Sequence, residues 1–455
     1  MKGSIVILGA GESGTGAALL AEAMGYSVFV SDMGKLGANY HQELEQAGIA
    51  FEEGRHTEDM VFSADIIVKS PGIPDTAPLI VSARAKDIPI ISEIEFAGKF
   101  IPEEAKTVLI TGTNGKTTTT MLTHHILVQA GKKAALGGNV GTALSRLVLK
   151  GGYDVYVIEV SSFQLDGMFD FHANYATVLN VTPDHLDRYD YQMQRYTDSK
   201  FRVLQNMAED DHFVYCLEAP VVADEIEKRQ PKAHLHPVTT QEDFSADAYV
   251  NGETLVVKAG PDEWYYHTVQ MTLQGPHNEI NAMVAATFAR LLGADKEDIR
   301  QGLNNFSNAP HRMEPVGTIK EVEFINDSKG TNVDAVKQSL ASFPGKSIVW
   351  VAGGIDKGND YSQLESLVRE KVRATVLLGK DNEKLRAFSE GLGKPVKETQ
   401  DVNESVKLSL DFAQPGDVVL LSPACSSFDL FNNFAERGDL WRIAVMQLTN
   451  NSIDD

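Results

Sequence analysis

The sequence has 455 residues, 43% of them hydrophobic, and carries 41 Lys and Arg against 63 Asp and Glu, a net charge of −22. At roughly 150 residues per domain, this length predicts three domains, each with its own core. The negative charge argues against nucleic acid as a partner. No run of roughly 18 apolar residues occurs, so we expect no membrane span. The cysteines, Cys216 and Cys425, are far apart and are typical of a reducing cytoplasm.

Short apolar runs alternate with helical patterns along most of the chain, which predicts an α/β fold built on parallel sheets. We predict domains over residues 1–102, 103–309 and 310–455, because Pro102 and the polar, Pro-rich segment around Ala309 interrupt the pattern. The predicted strands are Ile5–Leu8, Val28–Val30, Ile66–Val68, Ile88–Ile91, Thr107–Thr111, Tyr153–Val160, Ala176–Asn180, Ser347–Ala352, Thr375–Leu378 and Val418–Leu421. A β-rich insert with a turn at Asn251–Gly252 is predicted over Ala248–Leu273.

A glycine-rich loop, Gly9–Gly14, follows the first strand and opens a helix, and Asp32 ends the second strand. This is the dinucleotide fingerprint, in which glycines let a diphosphate approach a helix N-terminus and the acid binds a ribose. Glu12 is unfavourable for a pyrophosphate unless its side chain points away. A nicotinamide cofactor, another diphosphate ligand and a βα turn without a ligand all remain open at this point.

A second glycine-rich loop, Gly112–Gly115, follows a buried strand and leads through Lys116 and Thr117 into a helix. Such a loop directs backbone N–H groups at phosphates, with the lysine on the terminal phosphates and the threonine hydroxyl on Mg²⁺. Its glycine spacing is two residues shorter than in the common phosphate loop. The agreement of strand, glycines, Lys-Thr and helix nevertheless predicts a nucleotide site.

Two polar side chains end the strands that follow this loop. Glu159 ends one strand, and His185 comes shortly after the next. Because carboxyl ends of parallel strands meet at one edge of a sheet, both should lie beside the phosphate loop and could bind a divalent ion. Lys200 is predicted to begin a helix, Lys200–Ala208, and its sequence context alone favours a solvated lysine.

Several longer motifs resemble those of the Mur ligases. Within that family, they are most similar to the motifs of the members that add D-glutamate. In the middle block they are Gly112–Thr117 (GTNGKT), Glu159–Gln164 (EVSSFQ), Asn180–Arg188 (NVTPDHLDR) and Gly275–Ala282 (GPHNEINA). In the last block they are Pro310–Glu314 (PHRME), Ile325–Asn332 (INDSKGTN), Gly353–Gly358 (GGIDKG) and Leu421–Asp429 (LSPACSSFD). The resemblance spans all three blocks. It implies a Rossmann-like N-terminal domain, a central P-loop ATPase domain with a β-rich insert and a Rossmann-like C-terminal domain.

The resemblance also implies an activity: a cytoplasmic, monomeric ligase of peptidoglycan precursor synthesis that uses ATP and Mg²⁺. It would phosphorylate the carboxylate of UDP-N-acetylmuramoyl-L-alanine and join D-glutamate to the acyl phosphate. Lys116, Glu159, His185 and Lys200 would be catalytic, and Thr117, Glu159, His185 and a carbamylated Lys200 would bind the metal. ATP would be bound by Gly112, Thr113, Asn114, Gly115, Lys116, Thr117, Thr118, Asn278, Asn281, Arg312 and Asp327. The UDP substrate would be bound by Gly11, Glu12, Ser13, Asp32, Ser70, Gly72 and Asn139, and D-glutamate by Lys329, Thr331, Lys357, Ser427 and Phe434.

One departure from the family pattern concerns the uracil contacts. After Asp32 the sequence has Met33, where a polar or basic residue is expected. Three alternative functions compete with the ligase hypothesis. An NAD-dependent oxidoreductase accounts for the first glycine loop alone. A non-catalytic nucleotide-sugar sensor does not need the four candidate catalytic residues, and a folate-type or different Mur-type ligase would differ in the first or last block.

Overall fold

The computed structural model describes the backbone of residues 2–451 and the side chains of residues 2–449. In this described part the strands form three sheets, of five, nine and six strands. Two compact units result: one holds the chain up to Thr272 together with Asn278–Phe306, and the other holds Leu273–His277 and the chain from Ser307 onward. The three sheets agree with the predicted three-domain α/β fold. The boundaries at residues 102 and 309 stay predictions, and the outer ends of the predicted domains lie outside the described residues.

The first sheet is entirely parallel, with the strand order β3-β2-β1-β4-β5. Its strands are β1 (Ser4–Leu8), β2 (Ser27–Asp32), β3 (Ala50–Glu53), β4 (Ile66–Lys69) and β5 (Ile90–Ser92), and its helices are α1 (Glu12–Ala23), α2 (Ala38–Gln46), α3 (Glu58–Val61), α4 (Pro78–Ala85) and α5 (Glu93–Gly98). The four predicted strands are confirmed within two or three residues at each end. β3 was not predicted, because its sequence, AFEE, lacks an apolar run.

The second sheet has the strand order β14-β13-β12-β11-β10-β9-β6-β8-β7. Its strands are β6 (Lys106–Thr111), β7 (Ala134–Gly138), β8 (Val155–Glu159), β9 (Tyr175–Val178), β10 (His212–Cys216), β11 (His234–Thr239), β12 (Ala248–Asn251), β13 (Thr254–Val257) and β14 (Trp264–His267). The helices are α6 (Lys116–Gln129), α7 (Leu144–Lys150), α8 (Ser162–Leu165), α9 (Met193–Phe201), α10 (Pro220–Arg229), α11 (Pro276–Leu291) and α12 (Lys296–Asn305). The predicted insert is confirmed as the antiparallel strands β12–β14, which extend the main sheet because β12 pairs in parallel with β11.

The third sheet has the order β15-β16-β20-β17-β18-β19. It is built from β15 (Glu314–Ile319), β16 (Val322–Asn326), β17 (Ile348–Ala352), β18 (Val372–Leu378), β19 (Val396–Thr399) and β20 (Val418–Leu421), with α13 (Val333–Ala341), α14 (Glu365–Lys371), α15 (Glu383–Gly391), α16 (Val402–Phe412) and α17 (Phe434–Asn451). The antiparallel hairpin β15–β16 was not predicted. Its turn residues Lys320 and Glu321 both have positive φ, a conformation for which Asn and Gly are the usual sequence signal.

The hydrophobic core of the first unit is continuous between its two sheets. One cluster of buried side chains includes Ile7 of β1, Ile94 of α5, Leu144 of α7 and Ile158 of β8. The first two predicted domains therefore share one cluster of buried side chains, and the first also buries a smaller cluster of its own around Leu8, Ile67 and Ile80. Among residues 2–451, none of the helices combines the length and apolarity needed to cross a membrane.

Candidate active site

The predicted phosphate loop lies between β6 and α6. Gly112 and Gly115 both have positive φ, +149° and +84°, and Gly115 is the N-cap of the helix. A Cβ on Gly112 would lie 3.0 Å from the Leu179 side chain, and one on Gly115 would lie 2.8 Å from Asn281 Oδ1. The glycines are therefore needed both for their backbone conformation and for close packing. The loop ends at the N-terminus of a helix, where N–H groups and the helix dipole favour anions.

Lys116, the first residue of α6, folds back over this loop. Its Nζ donates to the carbonyl oxygens of Gly112 at 2.8 Å and Thr113 at 2.7 Å. Thr117 and Thr118 follow in the first helical turn and are buried. The lysine is thus held at the loop, and its contact with a terminal phosphate stays a prediction.

The two asparagines of α11 lie against the helix that follows the loop. Asn281 Oδ1 accepts a hydrogen bond from Thr119 Oγ1 at 3.0 Å, and Asn281 Nδ2 donates to Asn278 Oδ1 at 3.1 Å. Both side chains are buried. The structure therefore brings Asn278 and Asn281, separated from the loop by about 160 residues of sequence, into the neighbourhood of the predicted nucleotide site.

Glu159 ends β8. It lies next to the phosphate loop because β8 is a direct neighbour of β6 in the sheet and the loop follows β6. Its side chain is only 1% exposed, and Oε1 accepts a hydrogen bond from Asn139 Nδ2 at 2.6 Å. Oε2 is buried with no hydrogen-bond partner in the described part of the chain. A buried, half-satisfied carboxylate is costly without a cation, so this atom fits the predicted metal site. Asn139 holds Glu159 here, and its predicted contact with the UDP substrate stays a prediction.

His185 lies beyond the end of β9 in a left-handed conformation, with φ +51°. Its ring packs edge-on against Phe163 at 5.2 Å, and its Nε2 lies 3.6 Å from Asp184 Oδ2. The side chain is 42% exposed, so it can take an external partner. Phe163 belongs to α8, which the capping box of Ser161 and Gln164 starts. The EVSSFQ motif thus places an aromatic support for His185 directly after Glu159.

Lys200 differs from the sequence prediction in two respects. The helix is α9, Met193–Phe201, so the lysine lies near its end and not at its start, and a 3₁₀ turn at Arg202–Leu204 follows. The side chain is 1% exposed and not solvated. Its Nζ donates to Gly112 O at 2.8 Å and lies 4.5 Å from the ring centre of Tyr196, one helical turn earlier. The polar sequence of α9 concealed this buried face.

The charge state of Lys200 is strongly perturbed. Burial, followed by repulsion from Lys116, lowers the pKa of Lys200 well below its usual value. The nearby carboxylates of Asp184, Asp166 and Glu159 act in the opposite direction but do not outweigh burial. Asp198, the pairing partner considered from sequence, is bonded to Gln194 and Arg229 instead. Burial thus disfavours the charged form of Lys200, beside the phosphate loop.

Four groups of this unit are the predicted ligands of a divalent cation: the Thr117 hydroxyl, Glu159 Oε2, the His185 ring and Lys200. Within residues 2–451, no three His, Cys, Asp or Glu side chains are grouped so that they could hold a metal ion. The orphaned Glu159 oxygen fits the predicted cation, whereas an unmodified amine at Lys200 offers no anionic oxygen.

Two acidic residues, Asp32 at the end of β2 and Glu12 after the first glycine loop, make different contacts. Asp32 Oδ2 accepts from the N–H of Ala10 at 2.6 Å, and Oδ1 accepts from the N–H of Gly34 at 2.7 Å. Glu12 turns away from the loop: its Oε1 lies 3.1 Å from Arg146 Nε and accepts from the N–H of Ala143 at 3.2 Å. The negative charge of Glu12, which argued against a diphosphate, is thus paired with Arg146 of the second predicted domain.

The remaining predicted UDP-substrate residues line the same loop region. Ser70 follows β4 and its Oγ donates to Gly9 O at 3.4 Å. A Cβ on Gly11 or Gly72 would have no heavy atom within 4 Å, so both backbones face open space. Ser13 lies in the first turn of α1. The geometry leaves room for a ligand, and the individual contacts stay predictions.

In the second unit, Asp327 follows β16 and is buried. Its Oδ2 accepts from Ser339 Oγ at 2.7 Å and Ser422 Oγ at 2.8 Å, and Met313 N approaches Oδ1 at 3.4 Å. Burial raises the pKa of Asp327, and the hydrogen bonds of the two serines and the charge of Arg312 counteract it. The charge of Arg312 thus acts on Asp327, and the nucleotide role predicted for both residues stays a prediction.

The predicted D-glutamate residues come from three loops of this unit. Lys329 follows Asp327, and its Nζ lies 4.2 Å from the ring centre of Phe434, so these two predicted residues meet. Thr331 follows in the same loop, Lys357 is exposed in the loop after β17, and Ser427 is buried after β20. All three loops follow the carboxyl ends of strands in one sheet.

Arg437 joins these three loops and was missed from sequence. It is 1% exposed, and its guanidinium donates to Ser328 O at 2.9 Å, Cys425 O at 3.3 Å and Gly353 O at 3.4 Å. Burial lowers its pKa to about 10. Neither spacing nor composition distinguishes this arginine from a surface residue of α17. Asn180 and Tyr196, which contact the phosphate loop, were also missed as individual residues, although Asn180 lies in a quoted motif.

Three protein-family models match the chain. They are the Mur ligase MurD-like N-terminal domain over residues 3–92, the Mur ligase middle domain over 110–289 and the Mur ligase glutamate ligase domain over 311–425. UDP-N-acetylmuramoylalanine--D-glutamate ligase of Cytophaga hutchinsonii is 49% identical, with 98% of this chain and 100% of the relative covered. The enzyme of that name from Bacteroides fragilis is 46% identical, with 98% and 99% covered.

Solved structures agree with the three-domain α/β architecture. UDP-N-acetylmuramate-alanine ligase from Thermotoga maritima has a TM-score of 0.62 at 20% identity, with 98% of this chain and 99% of that chain covered. A pseudomurein peptide ligase type C from Methanothermus fervidus also has a TM-score of 0.62 at 20% identity, with 98% and 100% covered. At that identity the likeness concerns the fold alone. Because the curated relatives are far more similar and match over nearly their full length, the chain belongs to the Mur ligase family.

Proposed function

We propose that this protein is an ATP-dependent ligase that adds D-glutamate to UDP-N-acetylmuramoyl-L-alanine in the synthesis of peptidoglycan precursors. The observation that carries the proposal is the phosphate loop flanked by buried Glu159 and Lys200, in a chain 43–49% identical to seven relatives named for this activity. We further propose that it acts as a monomer in the cytoplasm.

The reaction proceeds in two bond-forming steps. An oxygen of the substrate carboxylate attacks the γ-phosphorus of ATP, ADP leaves, and an acyl phosphate forms. The amine of D-glutamate then attacks the acyl carbon, and the tetrahedral intermediate expels phosphate and loses a proton to give the amide. Activation is needed because a carboxylate is a poor acyl donor at neutral pH.

Phosphoryl transfer between two anions requires cations and N–H donors around the transferring group. Lys116 and the N–H groups at the N-terminus of α6 are proposed to supply these, since the N–H groups of Thr113 and Asn114 are bonded to Asn180. Arg312 is also proposed to offset charge. Bound Mg²⁺ would neutralise phosphate oxygens, and Thr117, Glu159 and His185 are the residues proposed to hold it. Asn278, Asn281 and Asp327 are proposed to orient the nucleotide.

The UDP substrate is proposed to bind at the first glycine loop, at the N-terminus of α1, through Gly11, Ser13, Asp32, Ser70 and Gly72. Glu12 fits this role less well than predicted, because its carboxylate is paired with Arg146. D-glutamate is proposed to bind in the second unit through Thr331, Ser427, Phe434 and two lysines, Lys329 and Lys357. Two lysines suit an incoming amino acid with two carboxylates.

Lys200 is proposed to carry a carbamate. A neutral amine adds to the carbon of CO₂, an N–C bond forms and a proton leaves to solvent, so the lowered pKa of Lys200 favours the reaction. The product is an anion with two oxygens, which attracts the ammonium group of Lys116. It also supplies the oxygen ligands that the unmodified amine lacks at the proposed metal site.

Phosphate release from ATP tests the proposed function. We expect release only when UDP-N-acetylmuramoyl-L-alanine, D-glutamate, ATP and Mg²⁺ are all present, since the acceptor must complete each turnover. Omission of each component in turn is the control. Equal turnover with L-glutamate, or none with any amino acid, would contradict the proposal, and hydride transfer to NAD would favour the oxidoreductase alternative.

A further inference from the structure

Asn180, which follows the end of β9, forms hydrogen bonds to the backbone of the phosphate loop. Its Oδ1 accepts hydrogen bonds from the N–H of Thr113 at 3.1 Å and the N–H of Asn114 at 2.8 Å. Its Nδ2 donates to Asn114 O at 3.1 Å, and its own carbonyl accepts from Thr113 N at 2.9 Å. One carboxamide thus fixes consecutive peptide groups of the loop as both acceptor and donor.

The loop needs such a support because both of its ends are glycines. Gly112 and Gly115 have positive φ and are free, by themselves, to adopt many other conformations. Thr113 adds a second attachment to the same segment: its Oγ1 accepts from Thr182 N at 3.0 Å and donates to Thr182 O at 3.1 Å. The conformation of the loop is therefore set by residues 180–182 and not by the glycine pattern alone.

We propose that Asn180 is a positioning residue for the phosphate loop. It orients the Thr113 and Asn114 peptide groups and so keeps the loop open at the N-terminus of α6 for the phosphates of ATP. It acts through the loop and is not itself proposed to contact the nucleotide. The inference rests on the proposed ATP-dependent function. The N–H groups of Thr113 and Asn114 are used by Asn180, so the donors that it would preorganise are those that follow at the start of α6. Preorganised N–H donors accelerate phosphoryl transfer because they need not be reoriented at the moment of reaction.

The chain offers a matched control at the other end of the same strand. Asn174 precedes β9, and its Oδ1 accepts from Thr107 N at 3.0 Å and from Thr107 Oγ1 at 3.3 Å, near the start of β6. Asn174 and Asn180 thus both connect the chain of β9 to the chain of β6, Asn174 at the start of the two strands and Asn180 beyond their ends. Loss of either should cost stability, whereas only Asn180 is next to the phosphate loop.

The test compares Asn180→Ala, Asn174→Ala and the unchanged protein in steady-state kinetics and thermal unfolding. We expect Asn180→Ala to raise KM for ATP by on the order of 10-fold or more and to lower kcat, with KM for the UDP substrate within about two-fold. Asn174→Ala should lower the unfolding temperature and leave KM for ATP within about two-fold. If Asn180→Ala does not fold, Asn180→Asp should show the same selective effect, since it keeps the acceptor and loses the donor.

Titration of the same variants with MgADP separates this inference from the proposed function. Weaker MgADP binding to Asn180→Ala, with unchanged binding to Asn174→Ala, would support the positioning role even if the unchanged protein does not ligate D-glutamate. Unchanged MgADP affinity and unchanged KM for ATP in both Asn180 variants would overturn it. An equal loss in the Asn174 variant would also overturn it, because it would indicate a general effect on the sheet.

Discussion

Glu93 is a buried carboxyl group at the junction of the first and second sheets. It begins α5, and its Oε1 accepts a hydrogen bond from the N–H of Ser145 in α7 at 2.6 Å, while Oε2 is buried with no partner among residues 2–449. Burial, with a smaller contribution from Glu12, raises the pKa of Glu93 from 4.5 to about 7. The folded state therefore holds this proton over a pH range in which the unfolded chain releases it.

The sign of the pH dependence follows from this difference. Because the folded state binds the proton more tightly, the stabilisation is complete below about pH 4.5 and is lost as pH rises through about 7. A shift of this size corresponds to about 3 kcal/mol of unfolding free energy. Glu93→Gln keeps the acceptor for Ser145 and stays neutral, so it should be more stable than the unchanged protein by up to about 3 kcal/mol at pH 8.

The assay is urea unfolding of both proteins at several values between about pH 5 and pH 8.5, compared as differences so that other titrating groups cancel. Glu104→Gln, at an exposed position further along the chain, controls for the change in net charge. We expect the advantage of Glu93→Gln to grow with pH and that of Glu104→Gln to stay near zero. A difference that does not vary with pH would refute the assignment of a raised pKa to Glu93.

Three further predictions concern the two glycine loops and the carbamate. Lys116→Ala should lower turnover by on the order of 10² or more, with binding of the UDP substrate retained in a titration; loss of that binding would contradict separate sites. Lys200→Ala should be largely inactive and partly restored by formate in a phosphate-release assay, whereas rescue by a small amine would mean that the lysine acts as a cation. Gly14→Ala should unfold at a markedly lower temperature, because its Cβ would lie 1.8 Å from Gly9 O, whereas Gly11→Ala meets nothing within 4 Å and should unfold like the unchanged protein.

The strands and loops that depend on local pattern were predictable. Apolar runs located β1, β6 and β8, and the glycines that follow β1 and β6 indicated both loops at helix N-termini before any contact was known. β3 was missed because it lacks an apolar run, whereas β10 was missed although its sequence, HFVYC, has one. The hairpin β15–β16 was missed because Lys320 and Glu321 take positive φ without the usual turn residues, a conformation that tertiary pairing imposes.

Among the site residues, burial was the quantity that the sequence did not provide. Lys200 looks like a surface lysine in the segment MQRYTDSKF, yet the helix turns it towards Gly112 O. Glu12 looked unfavourable for a diphosphate until Arg146, more than a hundred residues later, was found to pair with it. Such long-range pairs form only when elements distant in sequence pack together, so no local pattern encodes them.

The sequence by itself thus determined the α/β class, both glycine loops, the acid that ends β8 and the family to which the motifs point. Those features follow from hydrophobic periodicity and from local backbone chemistry, which are written in neighbouring residues. Only the tertiary structure decided the protonation preferences of Lys200 and Glu93, the support of the phosphate loop by Asn180 and the joining of three loops by Arg437. Each depends on desolvation or on hydrogen bonds across sheets and loops, which exist only once the cores are packed.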